Sequence, residues 1–161
     1  MAHRRFIKEI KKKYDGTKEL FNLEIWYHDS MNKSLVARWC SGASNKSYGF
    51  DGYSFGVFFE NKTYNCYRTH DLNHNLLFYR FDVLKNCRIT NNTVSFNDLI
   101  IDIIVKPNTI DDNDKYIIEF NDKDELKNSK EYLTSKDLQI IKDTELLFNN
   151  NVKHIISDID K

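Results

Sequence analysis

Short apolar runs separated by polar junctions dominate the first 120 residues. FNLEIWYH, SLVARWC, YSFGVFF, TYNCYRT, LLFYRFDV, DLIIDIIV and KYIIEF are rich in β-branched and aromatic residues, the composition of strands on a half-buried sheet. Turn-like stretches such as DGTK and SGASNKS lie between them. Strands at this regular spacing predict an antiparallel barrel or a strongly curved sheet. After about residue 120 the period changes. In TSKDLQIIKDTELLFNN, Thr134 suits an N-cap with Asp137 at N3. Leu138, Ile141 and Phe148 fall near one face, with Ile140 and Leu147 beside it, which is the spacing of an amphipathic helix. A shorter helix is predicted to begin near Asp124, and NNNVKHIISDIDK reads as a final turn or frayed helix. The predicted class is α+β, mainly β, an antiparallel barrel-like or strongly curved sheet flanked by C-terminal helices.

One stretch complicates the strand pattern. In VSFNDLIIDIIVKPN two aspartates interrupt an aliphatic run. On a strand over 98–105, Asp98, Ile100 and Asp102 share one face and Leu99, Ile101 and Ile103 the other. The aliphatic set then faces a core, and the aspartate face must meet water, cations or metal ions, because ionised carboxylates are seldom buried unpaired. PNTIDDND joins this strand to KYIIEFNDKDEL, so the two strands should be hairpin neighbours with Asp122, Asp124 and Glu125 at the far end of the second. Asp82 lies near the end of the preceding aromatic strand. Carboxylates converging from adjacent strands suit magnesium or manganese, hard ions that take oxygen ligands and polarise a phosphate for attack by water.

Size and composition narrow the class. A chain of 161 residues, 40 % hydrophobic and 14 % aromatic, with one proline and no internal repeat, fits a single domain over residues 1–161, about 20–120 mainly β and about 124–161 helical. No apolar run approaches the roughly 18 residues of a membrane span. The basic N-terminus has no apolar segment behind it, so a cytoplasmic location and no membrane partner are expected. Cys40, Cys66 and Cys87 are odd in number without C-x-x-C spacing, which predicts packing thiols, neither a disulfide framework nor a zinc site.

Charge is informative in its distribution. The 24 basic and 24 acidic residues cancel, leaving no global field for nucleic acid or membrane. Residues 1–20 carry seven Lys or Arg against three acids, and residues 98–125 nine acids against three lysines. Where those regions meet, cations for an anionic substrate would stand beside carboxylates for metal ions. The five histidines occupy no H-E-x-x-H or triad-like context. His70 and His74, in THDLNH, are expected to be surface residues bracketing a loop.

KKYDG near the start, an aromatic strand ending in FYRFDV, then DLIIDIIVKPN and NDKDEL, together resemble the nucleoside tri- and diphosphate phosphatase family, which includes the FomD-like hydrolases. The likeness covers most of the chain, with the four motifs in order. It implies a barrel-like β-domain with flanking helices that binds divalent cations, Mg2+ or Mn2+, and hydrolyses a phosphoanhydride in nucleotides. Carried over by position, Asp82, Asp98, Asp102, Asp122 and Glu125 become metal-site candidates, with Asp124 a further acidic member of the same turn. Lys13, Tyr14 and Lys106 become candidates for phosphate contact. Arg68 and Arg80 join them on charge and strand position. Asp102, Asp124 and Lys106 are the candidates for the catalytic step.

The chain departs from that pattern twice. Ile100 stands where relatives often carry a middle acid, and Asp82 where asparagine is frequent. In a regular strand Asp98 and Asp102 would be about 13 Å apart, too far to share one ion. The competing reading is a binding module: Tyr64, Tyr67 and Tyr79, if exposed, would stack RNA bases beside Arg68 and Arg80, whereas ordinary barrel packing would bury them.

Overall fold

The computed structural model describes residues 3–39, 52–108 and 115–160. Eight strands appear in chain order: β1 (Phe6–Lys12), β2 (Lys18–Asp29), β3 (Ser34–Trp39), β4 (Gly52–Phe59), β5 (Cys66–Asp71), β6 (Leu76–Ile89), β7 (Thr93–Pro107) and β8 (Tyr116–Asn121). Two helices follow, α1 (Lys123–Asn128) and α2 (Ser135–Ile159), with a single 3₁₀ turn at Lys130–Tyr132 between them. The SGASNKS turn and Cys40 lie outside the described residues, as do residues 109–114 of the β7–β8 connection.

Strands β1 to β7 pair in sequence order and close into a barrel through a β1–β7 contact, with β8 added to β7 outside the ring. Every consecutive pair is antiparallel, but β1 and β7 run parallel. The expected antiparallel barrel-like sheet is the one observed, with a single parallel pair at its seam. An up-and-down meander of seven strands brings its first and last members back in the same direction, so an odd-numbered ring closes on a parallel pair. β1 itself was not expected as a strand. Its sequence, FIKEIKK, looks like a solvated basic tail, yet Ile7, Glu9 and Lys11 are all buried.

Two cores follow from the alternation. Ile7, Leu23, Leu35, Ala37, Phe58, Leu84, Val94 and Phe96 form a cluster drawn from strands alone, which places it inside the barrel. Phe81, Val83, Leu99, Ile101, Ile103 and Val105 instead pack with Ile141, Phe148, Ile155, Ile156 and Ile159 of α2. The aliphatic face of β7 thus meets a helix, as its period required. Thr134 caps α2 with a full capping box: its hydroxyl accepts from the Asp137 backbone N–H at 3.1 Å, while Asp137 Oδ2 accepts from the Thr134 N–H at 3.1 Å. The segment expected to fray continues as helix through a kink at Asn151, because Ile155, Ile156 and Ile159 extend the stripe that covers the barrel. Among the described residues no helix is long and apolar enough to cross a membrane.

Candidate functional site

β7 serves two neighbours along one edge. Its residues 93–97 pair with β1, and Asp102 to Pro107 pair with β8. The change of partner falls between Asn97, opposite Lys12, and Asp102, opposite Asn121. The β1–β2 turn carrying Lys13 and Tyr14 and the β8–α1 turn carrying Asp122 therefore both emerge beside the Asp98–Asp102 segment. That turn is held by the Lys13 N–H donating to the Thr17 carbonyl at 2.8 Å and by Gly16 at φ 87°, a conformation natural to glycine.

A bulge sits at this crossing. Across to β6, Leu84 faces Asp98 and Asp82 faces Asp102, so three residues of β7 stand against one of β6. Ile100, in the middle, has φ 78° and is buried, an uncommon backbone state for a β-branched residue. The consequence corrects the spacing expected from a regular strand. The two aspartates face positions only two residues apart on β6, about 7 Å along the strand instead of about 13 Å. Bulges commonly re-aim side chains in this way.

The aspartates meet cations from inside the barrel. Lys11 Nζ donates to Asp82 Oδ2 at 3.1 Å, Arg80 Nε donates to Asp82 Oδ1 at 3.1 Å, and Lys13 Nζ lies 3.6 Å from Asp98 Oδ2. Asp82 also shares a hydrogen bond with the Asp102 carboxyl. Burial opposes ionisation of Asp82, but Arg80 and Lys11 outweigh it and hold the carboxyl well below the usual range. Burial and the adjacent Asp82 charge push Asp102 well above it, so Asp102 carries the proton and donates. Burial likewise pushes Asp98 up to about 6. Burial works against the Lys11 ammonium, yet Asp82 and Asp98 more than compensate and raise its pKa. One shell deeper, the Tyr67 hydroxyl donates to Glu9 Oε1 and accepts from Asn65 Nδ2 at 3.1 Å. Burial drives Glu9 up to about 7.

A cleft of about 150 Å³ reaches this group at Asp98 and Lys13. Lys12, Lys13, Tyr14, Lys85, Asn97, Asp98, Tyr132 and Asp137 line it. Lys85 Nζ donates to Asp137 Oδ1 at 2.6 Å, and Tyr14 packs against Tyr132 with ring centroids 5.6 Å apart. The cleft therefore sets Asp98 and Asp137 among three lysines, Lys12, Lys13 and Lys85.

The structure brings together Asp82, Asp98, Asp102, Arg80, Lys13 and Tyr14. Asp122, in the left-handed region at φ 69°, precedes α1, and Asp124 and Glu125 occupy its first exposed turn. Lys106 is paired with Glu119 at 3.7 Å, farther along β7. Arg68 points to the other side of the wall, 3.5 Å from Asp160 beyond the end of α2. Tyr64, Tyr67 and Tyr79 are 2–4 % exposed, which removes the surface on which bases were to stack. His70 is buried and stacked on Tyr53, contrary to expectation, while His74 is exposed and bonded to the Tyr53 hydroxyl at 2.8 Å. Cys66 and Cys87 are buried free thiols. Glu9, Lys11, Lys85 and Asp137 were missed. The period-2 run Ile7, Glu9, Lys11 was the available signal for the first two.

The donor set bears on a metal ion. Among the described residues no three His, Cys, Asp or Glu side chains gather closely enough to cage one. Asp82 is already engaged by Lys11 and Arg80. Asp98 Oδ1, however, is buried without a hydrogen-bond partner, the kind of orphaned acceptor a hard cation satisfies. Magnesium is commonly held by one or two carboxylates together with substrate phosphates. The residues fit one ion shared with a phosphate; they do not fit an all-protein cage.

No family model matches the chain, and no curated protein does. Solved structures are similar in fold. The phosphatase SC4828, crystallised with the non-hydrolysable nucleotide GPCP, aligns with a TM-score of 0.68 over 90 % of this chain and 81 % of that one, at 10 % identity. FomD in complex with CDP aligns with a TM-score of 0.63 over 88 % and 80 %, also at 10 % identity. The fold expected from the four motifs is thus the fold observed.

Proposed function

We propose that the chain hydrolyses a phosphoanhydride bond in a nucleoside tri- or diphosphate, with Mg2+ or Mn2+ arriving on the substrate. The observation that carries this reading is the cluster of Asp82, Asp98 and Asp102, of which Asp98 lines a lysine-rimmed cleft. The fold shared with a nucleotide-bound phosphatase and with FomD bound to CDP supports it.

The phosphate chain lies in the cleft, where Lys13 and Lys85 offset its charge and the Tyr14–Tyr132 pair closes one side. Asp98 would hold the divalent ion together with the substrate phosphates, with Asp122 and Glu125 on the neighbouring β8–α1 turn. When bound there, such an ion would polarise the phosphoryl group and offset the charge on the leaving phosphate. Asp102, once deprotonated, is the general base: it takes a proton from water as the water oxygen bonds to phosphorus and the anhydride P–O bond breaks. Arg80 and Lys11 keep Asp82 ionised and so hold Asp102 in place. Asp124 and Lys106 stand outside this group and take no step in it.

The test is a phosphate-release screen across nucleoside tri- and diphosphates, with and without Mg2+ or Mn2+. Release that depends on the ion and disappears in Asp98→Asn and Asp102→Asn, with the fold retained, is the expected result. Full activity in both variants would overturn the assignment. The second reading is a nucleotide-binding module of the same fold, favoured by the aliphatic Ile100 where a ligand would otherwise stand. It predicts nucleotide binding that survives EDTA, with no turnover. RNA as a partner loses its support with the burial of Tyr64, Tyr67 and Tyr79.

A further inference from the structure

The geometry points to Lys11 as a resident cation, its ammonium holding the place among Asp82, Asp98 and Asp102 that a second divalent ion would otherwise take. Lys11 is 6 % exposed, and a buried lysine is rare unless paired. It reaches from β1 to Asp82 on β6, at 3.1 Å, and its charge is supported by Asp98 as well. With Asp102 protonated, two ionised carboxylates, Asp82 and Asp98, face three cations here, Lys11, Arg80 and Lys13. With its anions already outnumbered by side-chain cations, the nest offers no net attraction to a further ion, and a divalent ion seated at Asp82 would stand against an ammonium buried beside it. Ile100 agrees with this arrangement. The middle strand position supplies no ligand, and its side chain is buried. Only Asp98, with Oδ1 unpartnered, keeps a vacant ligand position, so the site works with one divalent ion and one lysine.

This inference rests on the hydrolase reading, but its test does not need turnover. Mn2+ alone, without nucleotide, is titrated into wild type and into Lys11→Gln, and the free ion is followed by electron paramagnetic resonance. Glutamine keeps a donor for Asp82 while removing the charge. Lys11→Gln is expected to bind Mn2+ at least tenfold more tightly than wild type, and Lys11→Gln/Asp82→Asn to lose that gain. A folded Lys11→Gln with wild-type or weaker Mn2+ affinity overturns the proposal. Should the variant not fold, wild type decides: in complex with a non-hydrolysable nucleoside triphosphate it should hold one Mn2+ per chain, and two would overturn the proposal. One ion with no phosphate release would instead sink the hydrolase reading and leave the Lys11 assignment standing.

Discussion

Asp82 and Asp102 face each other directly across β6 and β7, and their carboxyls share one hydrogen bond. Two like charges so placed cannot both ionise freely, so the proton stays on Asp102 while Arg80 and Lys11 hold Asp82 charged. Glu9, deeper in the same barrel, is also pushed up, to about 7, by burial. Both raised groups bind a proton more tightly folded than unfolded. Their stabilisation is complete below the unfolded carboxylate range and is lost as pH rises towards the folded pKa. Unfolding free energies of wild type from urea titrations should therefore fall between pH 5 and 8 relative to those of Glu9→Gln and of Asp102→Asn, by at most about 1.4 kcal/mol per pH unit for each group. Parallel profiles for wild type and both variants would show that neither group is perturbed.

Ile100 gives a second, independent test of the bulge. In an ordinary strand glycine is less stable than alanine by roughly 0.5–1 kcal/mol. At φ 78° the order should reverse, because alanine keeps the Cβ that strains this backbone and glycine does not. Ile100→Gly should melt above Ile100→Ala, although both fall below wild type through loss of a buried side chain. The usual order would place Ile100 in a regular strand and return the two aspartates to their longer separation.

How much of this was legible in the sequence depended on whether period and environment agreed. β7 was readable because Leu99, Ile101 and Ile103 alternate with aspartates, and Thr134 with Asp137 announced the start of α2. β1 was not, since its inward face is Ile7, Glu9 and Lys11, and charged residues at period 2 look the same on a buried strand as on a wet one. Only ring closure against β7 decides which they are. The bulge was equally silent: nothing in DLIID marks Ile100 for a left-handed backbone, and its conformation follows from β7 exchanging β1 for β8 at that point. Asp82, Asp98 and Asp102 therefore come together closer than a regular strand would place them. The period-2 run could have placed Lys11 on the inward face, but not beside its partner, 71 positions away.

The basic rim makes a kinetic prediction. Lys13 Nζ lies between Glu19, at 3.0 Å, and Asp98, at 3.6 Å, and lines the cleft. A hydrogen bond from a charged donor is worth about 1.5–3 kcal/mol. On the hydrolase reading, Lys13→Ala should raise KM for nucleoside diphosphates by roughly tenfold to a hundredfold while kcat changes less, because the contact is made to ground state and transition state alike. A fall in kcat at constant KM would move Lys13 from phosphate binding to the chemical step.

Asp137 ties the helix start to the cleft. It accepts from the Thr134 N–H within the capping box and from Lys85 in the cleft wall. Burial opposes its ionisation, but Lys85 and the Thr134 backbone prevail and hold its pKa below the usual range. A depressed carboxyl stabilises the fold above its unfolded pKa, and that contribution disappears as pH falls through the folded value. Thr134→Ala, which removes one cap bond, should cost about 1 kcal/mol, a shift of roughly 2–4 °C in Tm for a domain of this length. Asp137→Asn should cost more at pH 7, since it also leaves Lys85 without its anion, and the gap to wild type should narrow below about pH 4 as the wild-type carboxyl protonates. Thermal melts of the three proteins at pH 7 and pH 3 measure both terms. A gap that is the same at both pH values would mean that Asp137 caps α2 through hydrogen bonding alone and that its charge contributes nothing to holding the helix against the cleft.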